Sequence, residues 1–173
     1  NIVGLIGSSV KVSNNQFPRI KELVDRCANL LDISSPNVYV HHDPHFNAYT
    51  SGIKEPFIVL HSSLVDAFSE AELTFIVAHE MGHIKSEHVR YMIIAQGILF
   101  KIPLFFRLPF ITDLLKLALL KWSRMAEYTS DRAGYLACLD PVNASEALVK
   151  ATLGSSKLFS ELNMQEYLQQ AKI

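Results

Sequence analysis

Cysteine is scarce in this chain of 173 residues, which contains only Cys27 and Cys138. Cys27 falls on an apolar helical face and Cys138 in a largely apolar helical run, so we expect buried thiols rather than a disulfide or metal ligands. The chain also lacks a large net charge: its formal net charge is -1, and no basic stripe is interleaved with aromatic residues. These features argue against nucleic-acid binding, so we expect no nucleic-acid partner.

Long apolar runs and targeting segments are also missing from the sequence. A membrane-spanning helix needs about 20 mostly apolar residues. The most apolar region, residues 89–122, is interrupted by Lys101, Pro103, Arg107, Pro109 and Asp113. No basic segment precedes an apolar stretch at the start of the sequence, so no secretory signal peptide is predicted. We expect a cytoplasmic or membrane-associated location, with peripheral membrane contact through residues 99–110 as one hypothesis, and the oligomeric state is left open.

Turn residues and apolar spacing divide the chain into short strands followed by helices. Apolar residues make up 49% of the chain, which is enough for one domain spanning residues 1–173. Residues 1–16 are interpreted as an arm or loose strand, and helical spacing of apolar residues predicts a helix from Phe17 to Leu31. Strands are predicted at 38–42, 46–50 and 56–61, the last two forming an antiparallel hairpin. Helical segments are predicted at 62–68 and 69–88, up to Lys101, at 112–138, after Asp140-Pro141, and from about Ser160.

Residues 69–88 carry the strongest functional signal in the sequence. They begin with a Ser-x-x-Glu capping box, which predicts a helix start, and continue through an apolar run to the H-E-x-x-H motif His79-Glu80-Met81-Gly82-His83. Residues four apart on a helix share one face, so His79 and His83 can bind one Zn2+ at about 2.0–2.1 Å. Glu80 can then take a proton from a metal-activated water. Surface histidines are the alternative interpretation, which the burial expected for the apolar run disfavours.

Two histidines leave a catalytic zinc site one protein ligand short. The longer motif H-E-x-x-H-x-x-G-x-x-H is excluded, because Ser86 and Val89 occupy its glycine and third histidine positions. His88 follows His79 by nine residues, which at about 100° per residue places it near the opposite side of the helix, and no histidine follows it. A downstream carboxylate is therefore the expected ligand. The candidates are Asp113, Glu127, Asp131, Asp140, Glu146, Glu161 and Glu166.

Glu127 and Asp131 stand out among these carboxylates. They are four residues apart in a helical stretch with small neighbours. This spacing allows Glu127 to bind the metal while Asp131 accepts a hydrogen bond from the distal nitrogen of a ligating histidine. The alternative is that both are surface carboxylates, paired with Arg124 and Arg132. Spacing alone leaves the two interpretations open.

Three segments together resemble the M48 (Ste24/HtpX-like) zinc metallopeptidases. Residues 79–83 match the family's H-E-x-x-H, and residues 127–131, Glu-Tyr-Thr-Ser-Asp, match its E-x-x-x-D. Residues 47–52, Asn-Ala-Tyr-Thr-Ser-Gly, are similar to its N-A-[FY]-x-x-G segment, which precedes an apolar strand. The resemblance covers roughly residues 10–150 and includes the order of the predicted elements.

The resemblance implies a ligand set, a general base and a fold. His79, His83 and Glu127 would bind one Zn2+ per chain, Glu80 would be the catalytic base, and Asp131 would orient His79. The implied fold is α+β and mostly helical, in the gluzincin-like arrangement. A small antiparallel sheet would pack on an active-site helix carrying HExxH and on a second helix carrying ExxxD.

The function that follows is zinc-dependent endopeptidase activity on a peptide or protein substrate. We expect the substrate to lie extended along an edge strand of the 46–61 hairpin, with Asn47 and Ala48 as candidate contact residues. The alternative is a zinc-stabilised, latent or chaperone-like peptide-binding module without physiological protease activity, which the intact Glu80 disfavours. The donor that would stabilise the oxyanion is left open among Asn47, Tyr128, Arg132 and Tyr135.

Overall fold

A small sheet and a set of helices make up the part of the chain that the structure describes. This computed structural model covers residues 7–101 and 109–170, with side chains described except at 95–101 and 109–116. The strands are β1 (Ser9–Lys11), β2 (Asn37–His41), β3 (Ala48–Ser51) and β4 (Phe57–His61). The helices are α1 (Pro18–Leu30), α2 (Ser62–Ala67), α3 (Glu70–Lys85), α4 (His88–Lys101), α5 (Pro109–Cys138), α6 (Pro141–Leu153), α7 (Ser156–Ser160) and α8 (Met164–Gln170).

The sheet is mixed, so the prediction of an antiparallel sheet was wrong. Its strand order within the described residues is β1-β2-β4-β3. β1 pairs antiparallel with β2, and β3 pairs antiparallel with β4 as the predicted hairpin requires. β2 and β4 are parallel, with Val38 opposite Ile58. After β2 the chain forms β3 at the edge of the sheet and then β4 between β2 and β3. The position of β4 inside the sheet explains why all five of its residues are buried.

Helix α3 is largely enclosed by other elements, which explains its apolar sequence. It packs against α1, α5, α6 and β3, and ten of its 16 residues are buried. The predicted capping box is confirmed: the Ser69 N–H donates to Glu72 Oε2 at 2.7 Å, and the Glu72 N–H donates to Ser69 Oγ. The buried Glu72 also accepts a hydrogen bond from Lys150 Nζ at 2.6 Å. This ion pair anchors the start of α3 to α6.

Most predicted helices are present, with shifted ends. α1 has Pro18 in its first turn, α4 ends at Lys101, and Asp140 is the N-cap of α6, its carboxylate accepting from two backbone N–H groups. α5 begins at Pro109 rather than residue 112. The helix predicted from about Ser160 is wrong in its start, because α7 ends there and α8 begins four residues later.

The apolar region between α4 and α5 includes the hypothesised membrane-contact segment 99–110. Residues 102–108, the predicted proline-bounded loop, lie outside the described residues, as do the side chains on either side of them. Among the helices that are described, none combines the length and the apolar character that a membrane crossing requires. The two cysteines are both free thiols: Cys27 is buried in the core, as predicted, and Cys138 is half-buried.

Candidate metal centre

His79 and His83 lie one turn apart on the same side of α3. Their Nε2 atoms are 3.2 Å apart, and their side chains are only 13% and 15% exposed. The i, i+4 spacing of the helix brings the rings together. The apolar run that precedes them buries much of α3. The two Nε2 atoms therefore face each other where the histidine side chains have little exposure to solvent.

Glu127 on α5 supplies a third donor beside the two histidines. One carboxylate oxygen lies 3.4 Å from His79 Nε2 and the other 3.8 Å from His83 Nε2. Ligand atoms arranged tetrahedrally around one zinc ion at its usual bond lengths lie roughly 3.3–3.6 Å apart. The donor atoms of His79, His83 and Glu127 all lie within 4.8 Å of one another, and no other three-donor group occurs among the described residues. The type and spacing of these donors fit a zinc ion.

The close approach of α3 and α5 depends on two glycines. A Cβ atom placed on Gly82 would lie 2.8 Å from the Cα of Ser130, and one placed on Gly134 would lie 2.8 Å from the Phe75 carbonyl oxygen. Both distances are shorter than real Cβ contacts allow. The missing side chains therefore let the two helix backbones come close enough for Glu127 to reach the histidines.

Asp131, one turn after Glu127, contacts the other side of the His79 ring. Its Oδ1 lies 2.9 Å from His79 Nδ1, so the His79 Nδ1–H donates a hydrogen bond to the carboxylate. The other ring nitrogen, Nε2, then faces Glu127 and His83. Burial lowers the pKa of His79, but the hydrogen bonds to Asp131 and Glu127 outweigh it and raise this pKa to about 9. The hydrogen bond from His79 in turn lowers the pKa of Glu127. Burial and the neighbouring charge on His79 lower the pKa of His83.

Glu80 is buried on α3, between the two histidines in sequence. Its pKa is raised because burial disfavours the charged carboxylate, an effect that the His79 charge and a hydrogen bond from Thr50 partly oppose. The Thr50 hydroxyl lies 2.8 Å from Glu80 Oε2 and 3.0 Å from the Glu80 carbonyl oxygen. Thr50 belongs to β3, so the edge strand is bound directly to the candidate base.

His88 does not lie on the opposite side of the helix, so this prediction was wrong. α3 ends at Lys85, and Glu87 adopts a positive φ of 52°. The chain therefore turns before α4 begins at His88. The turn places His88 Nδ1 3.1 Å from His83 Nδ1. His88 contacts the candidate site through His83, and it lies outside the three-donor group.

Of the two candidate substrate-strand residues, Ala48 begins β3 and Asn47 directly precedes it. Ala48 pairs with Leu60 of β4, and the carbonyl oxygen of Asn47 accepts a hydrogen bond from the His61 N–H at 3.0 Å. Since β3 is the last strand of the described sheet on this side, the edge that does not face β4 is the one a peptide would pair with. Thr50 of the same strand contacts Glu80, so this edge runs beside the site.

Two cavities adjoin His83. One, of about 180 Å³, lies between α4 and α5 and has mostly apolar walls; it is lined by His83, His88, Val89, Met92, Ile93, Trp122, Ser123, Ala126 and Glu127. The other, of about 170 Å³, lies between the end of β3 and the α3–α4 turn, where Lys54, Glu87 and Arg90 add charge. A chain that follows β3 past the histidines would have space for side chains on either side.

Sequence reasoning missed two residues of this site. Thr50 stands within the Asn-Ala-Tyr-Thr-Ser-Gly segment, so the motif contained a signal that its hydroxyl has a specific partner. His88 offered no such signal, because its position depends on the positive φ of Glu87. That conformation is unusual for a glutamate and is not encoded by any local turn motif.

The donor set, the buried carboxylate beside it and the sheet-and-helix fold define a candidate metallopeptidase of the HExxH class. The model of peptidase family M48 matches residues 14–169, and the chain belongs to this family. It is 38% identical over 172 residues to the plastoglobule-localized metallopeptidase 48 of Arabidopsis thaliana, covering 96% of this chain and 49% of that protein. It is 29% identical over 178 residues to a protease HtpX homolog of Tropheryma whipplei, covering 84% of this chain and 60% of that protein.

A solved structure shows the same fold at lower sequence similarity. The crystal structure of S. mikatae Ste24p superposes with a TM-score of 0.53 and 17% identity, covering 94% of this chain and 50% of that one. The chain thus spans about half the length of the plant relative and of this solved protein. The shared part is the mostly helical α+β fold with its small mixed sheet.

Proposed function

We propose that residues 1–173 form a single zinc-dependent endopeptidase domain. In this proposal one Zn2+ per chain is held by His79, His83 and Glu127, with Asp131 orienting the His79 ring. The observation that carries the proposal is the convergence of these three donors, from two helices, beside the buried carboxylate of Glu80. Membership of the M48 family supports metal dependence, for which zinc is typical, and a peptide or protein substrate.

The residues of the chain divide the chemistry among them. A bound zinc ion supplies Lewis-acid polarisation of the scissile carbonyl and lowers the pKa of water to about 7. Glu80 takes the proton of the attacking water and passes it to the leaving amine. Its raised pKa suits this double role, because the buried carboxyl accepts a proton more readily than an ordinary glutamate does. Thr50 keeps the carboxylate in place by its hydrogen bond.

We propose that the substrate lies extended and adds to the free edge of β3. Backbone hydrogen bonds along this edge, near Asn47 and Ala48, would hold a peptide with little regard for its sequence. The cavity between α4 and α5 would then receive an apolar side chain, since Val89, Met92 and Trp122 line it next to His83. A substrate with a bulky apolar residue at this subsite follows from the chemistry of these walls.

The second candidate function, a latent or chaperone-like binding module, is less well supported. A purely structural zinc site uses four protein ligands and needs no base. Among the described residues, three donors converge here. Glu80 beside them is buried and accepts a hydrogen bond from the Thr50 hydroxyl. Burying a carboxyl costs folding free energy, and a catalytic role gives a reason for Glu80 to be buried here.

The experiment compares Glu80→Gln and His79→Ala with the parent chain in zinc content and in cleavage of an unfolded protein substrate. We expect about one zinc per chain both in the parent and in Glu80→Gln. The parent should cleave the substrate and Glu80→Gln should not, because the amide cannot accept the proton. His79→Ala should lose both zinc and cleavage, because a three-ligand site has lost one donor.

Matched controls isolate these effects from surface changes. Glu161→Gln makes the same substitution at an exposed residue directly after α7, and His45→Ala removes a histidine whose side chain is 85% exposed. Both should keep parental zinc and cleavage. Full cleavage by a zinc-loaded Glu80→Gln protein would refute the assignment of the base. Zinc binding by an inactive parent would instead favour the binding module.

We also retain peripheral membrane contact through residues 99–110 as a proposal. The plant relative is named as plastoglobule-localized, which supports a membrane-associated rather than a freely cytoplasmic location. Ile93, Ile94, Leu117 and Leu120, on the helices that flank this segment, are exposed apolar side chains. Co-sedimentation of the chain with liposomes tests the proposal, and a chain that stays entirely in the supernatant would contradict it.

A further inference from the structure

His88 lies between the candidate metal centre and the only tryptophan of the chain. Its Nδ1 is 3.1 Å from His83 Nδ1, and its ring meets the Trp122 ring edge-to-face at 5.8 Å between centroids. The position results from the end of α3 and the positive φ of Glu87, which start α4 at His88. His88 is partly buried, and its ring is packed on both sides.

The two Nδ1 atoms can be this close only if one of them carries a hydrogen and the other does not. His83 Nε2 faces His79 Nε2 and Glu127 within the three-donor group, so a metal-binding His83 must leave Nε2 without a hydrogen. A neutral imidazole then carries its hydrogen on Nδ1. The Nδ1–H of His83 points at His88, whose own Nδ1 must be the acceptor.

We infer that His88 is a positioning residue for His83, in the way that Asp131 is for His79. By accepting the Nδ1–H, His88 selects the tautomer of His83 that presents Nε2 to the metal and fixes the ring about its Cβ–Cγ bond. Both histidines would then be oriented from behind, one by a carboxylate on α5 and one by an imidazole on α4. This inference rests on the proposed zinc site.

Packing alone is the competing explanation. The His88 ring fills the space between His83 and Trp122, and a residue of similar size without an acceptor would fill it too. The two roles differ in one atom. Asparagine places a side-chain oxygen on Cγ, where histidine has Nδ1, whereas glutamine places its oxygen one bond further out and leucine has no acceptor.

The experiment measures zinc affinity of the full chain by chelator competition for His88→Asn, His88→Gln and His88→Leu. We expect His88→Asn to bind within about threefold of the parent, because the acceptor is retained. His88→Gln and His88→Leu should bind roughly 10–100-fold more weakly, the loss typical when an outer hydrogen bond to a metal ligand is removed. Cobalt(II) absorption spectra provide a second readout, and they should change in the Gln and Leu variants only.

Outcomes for the inference and for the proposed function are distinguishable. Equal affinity in all three variants, or equal loss in all three, would overturn the inference while the zinc-binding, cleaving parent keeps the proposed function. A parent that binds no zinc would overturn both. Trp122 fluorescence and thermal unfolding of the metal-free forms check folding. If His88→Leu does not fold, the two polar variants still decide, because both carry an amide and the extra methylene of glutamine moves its acceptor away from the Nδ1 position.

Discussion

The Thr50 hydroxyl and the Glu80 carboxylate lie 2.8 Å apart, which joins the edge strand β3 to helix α3 at the candidate base. This single hydrogen bond connects two parts of the proposed activity, the strand that would hold the substrate and the group that would move the proton. It also opposes the rise that burial causes in the pKa of Glu80. A change at Thr50 should therefore appear in the pH profile of cleavage.

Thr50→Val removes the hydroxyl and keeps the size of the side chain. We expect the pKa of Glu80 to rise further, so the acid limb of the cleavage profile moves to higher pH with zinc content unchanged. The free energy of unfolding at neutral pH should fall by about 1–3 kcal/mol, since a hydrogen bond to a buried charge is lost. Thr50→Ser, which restores the hydroxyl, should return the acid limb to its parental position. An unshifted limb in Thr50→Val would show that Glu80 does not set it.

Asp131→Ala removes the acceptor behind His79. We expect zinc affinity to fall by roughly 10–100-fold, because the His79 ring loses the contact that fixes its tautomer and orientation. Isothermal titration or chelator competition measures the loss. Asp66→Ala, which truncates an exposed aspartate on α2, is the matched control and should bind like the parent. Parental affinity in Asp131→Ala would mean that the carboxylate is a surface charge, the alternative that the sequence left open.

The raised pKa of His79 predicts how zinc binding depends on pH. In the metal-free chain this histidine holds its proton up to about pH 9, against 6.5 for an unperturbed group. Zinc must displace that proton, so its apparent affinity should rise by about tenfold per pH unit from pH 7 towards pH 9. His83 adds no slope there, because its pKa is lowered. An affinity that is constant over this range would contradict the prediction.

The same pKa predicts the stability of the metal-free chain. A folded-state pKa above the unfolded value means that the folded protein binds the proton more tightly. The stabilisation is fully present below pH 6.5 and is lost as pH rises through about 9. Thermal unfolding in the presence of a chelator should show a falling melting temperature across this window. The decline should be smaller in Asp131→Ala, which lacks the main hydrogen bond that raises the pKa.

Gly82→Ala tests whether the approach of α3 and α5 sets the donor spacing. The added Cβ would lie 2.8 Å from Ser130 Cα, so the helices must separate, at a cost of about 1–3 kcal/mol in the free energy of unfolding. Zinc affinity should fall with it, as Glu127 moves away from the histidines. Gly154→Ala is the control: its φ is +65° and nothing lies within 4 Å. It should lose about 1–2 kcal/mol of stability, the cost of a left-handed conformation for a residue with a Cβ atom, and bind zinc normally.

Local signals in the sequence were enough to predict the elements that carry the site. The capping box at Ser69 and the Asp140 cap act within four residues of the chain, so the amino-acid pattern alone identifies them. The i, i+4 pairs, His79 with His83 and Glu127 with Asp131, follow from the period of a helix in the same way. The family motifs predicted that the helix with His79 and His83 would face the helix with Glu127 and Asp131. In the structure these side chains lie together.

What the tertiary structure decided depends on contacts between residues far apart in the chain. The order β1-β2-β4-β3, with a parallel β2–β4 pair, arises because β4 fills the gap beside β2, and no residue pattern in either strand specifies its neighbour. His88 reaches His83 because Glu87 adopts a positive φ, which is uncommon for a glutamate, and Thr50 reaches Glu80 across 30 residues. Sequence by itself determined which helices carry the donors and the chemistry of those donors, because both depend on local patterns. The folded chain alone decided which groups hold those donors in place, because that depends on packing.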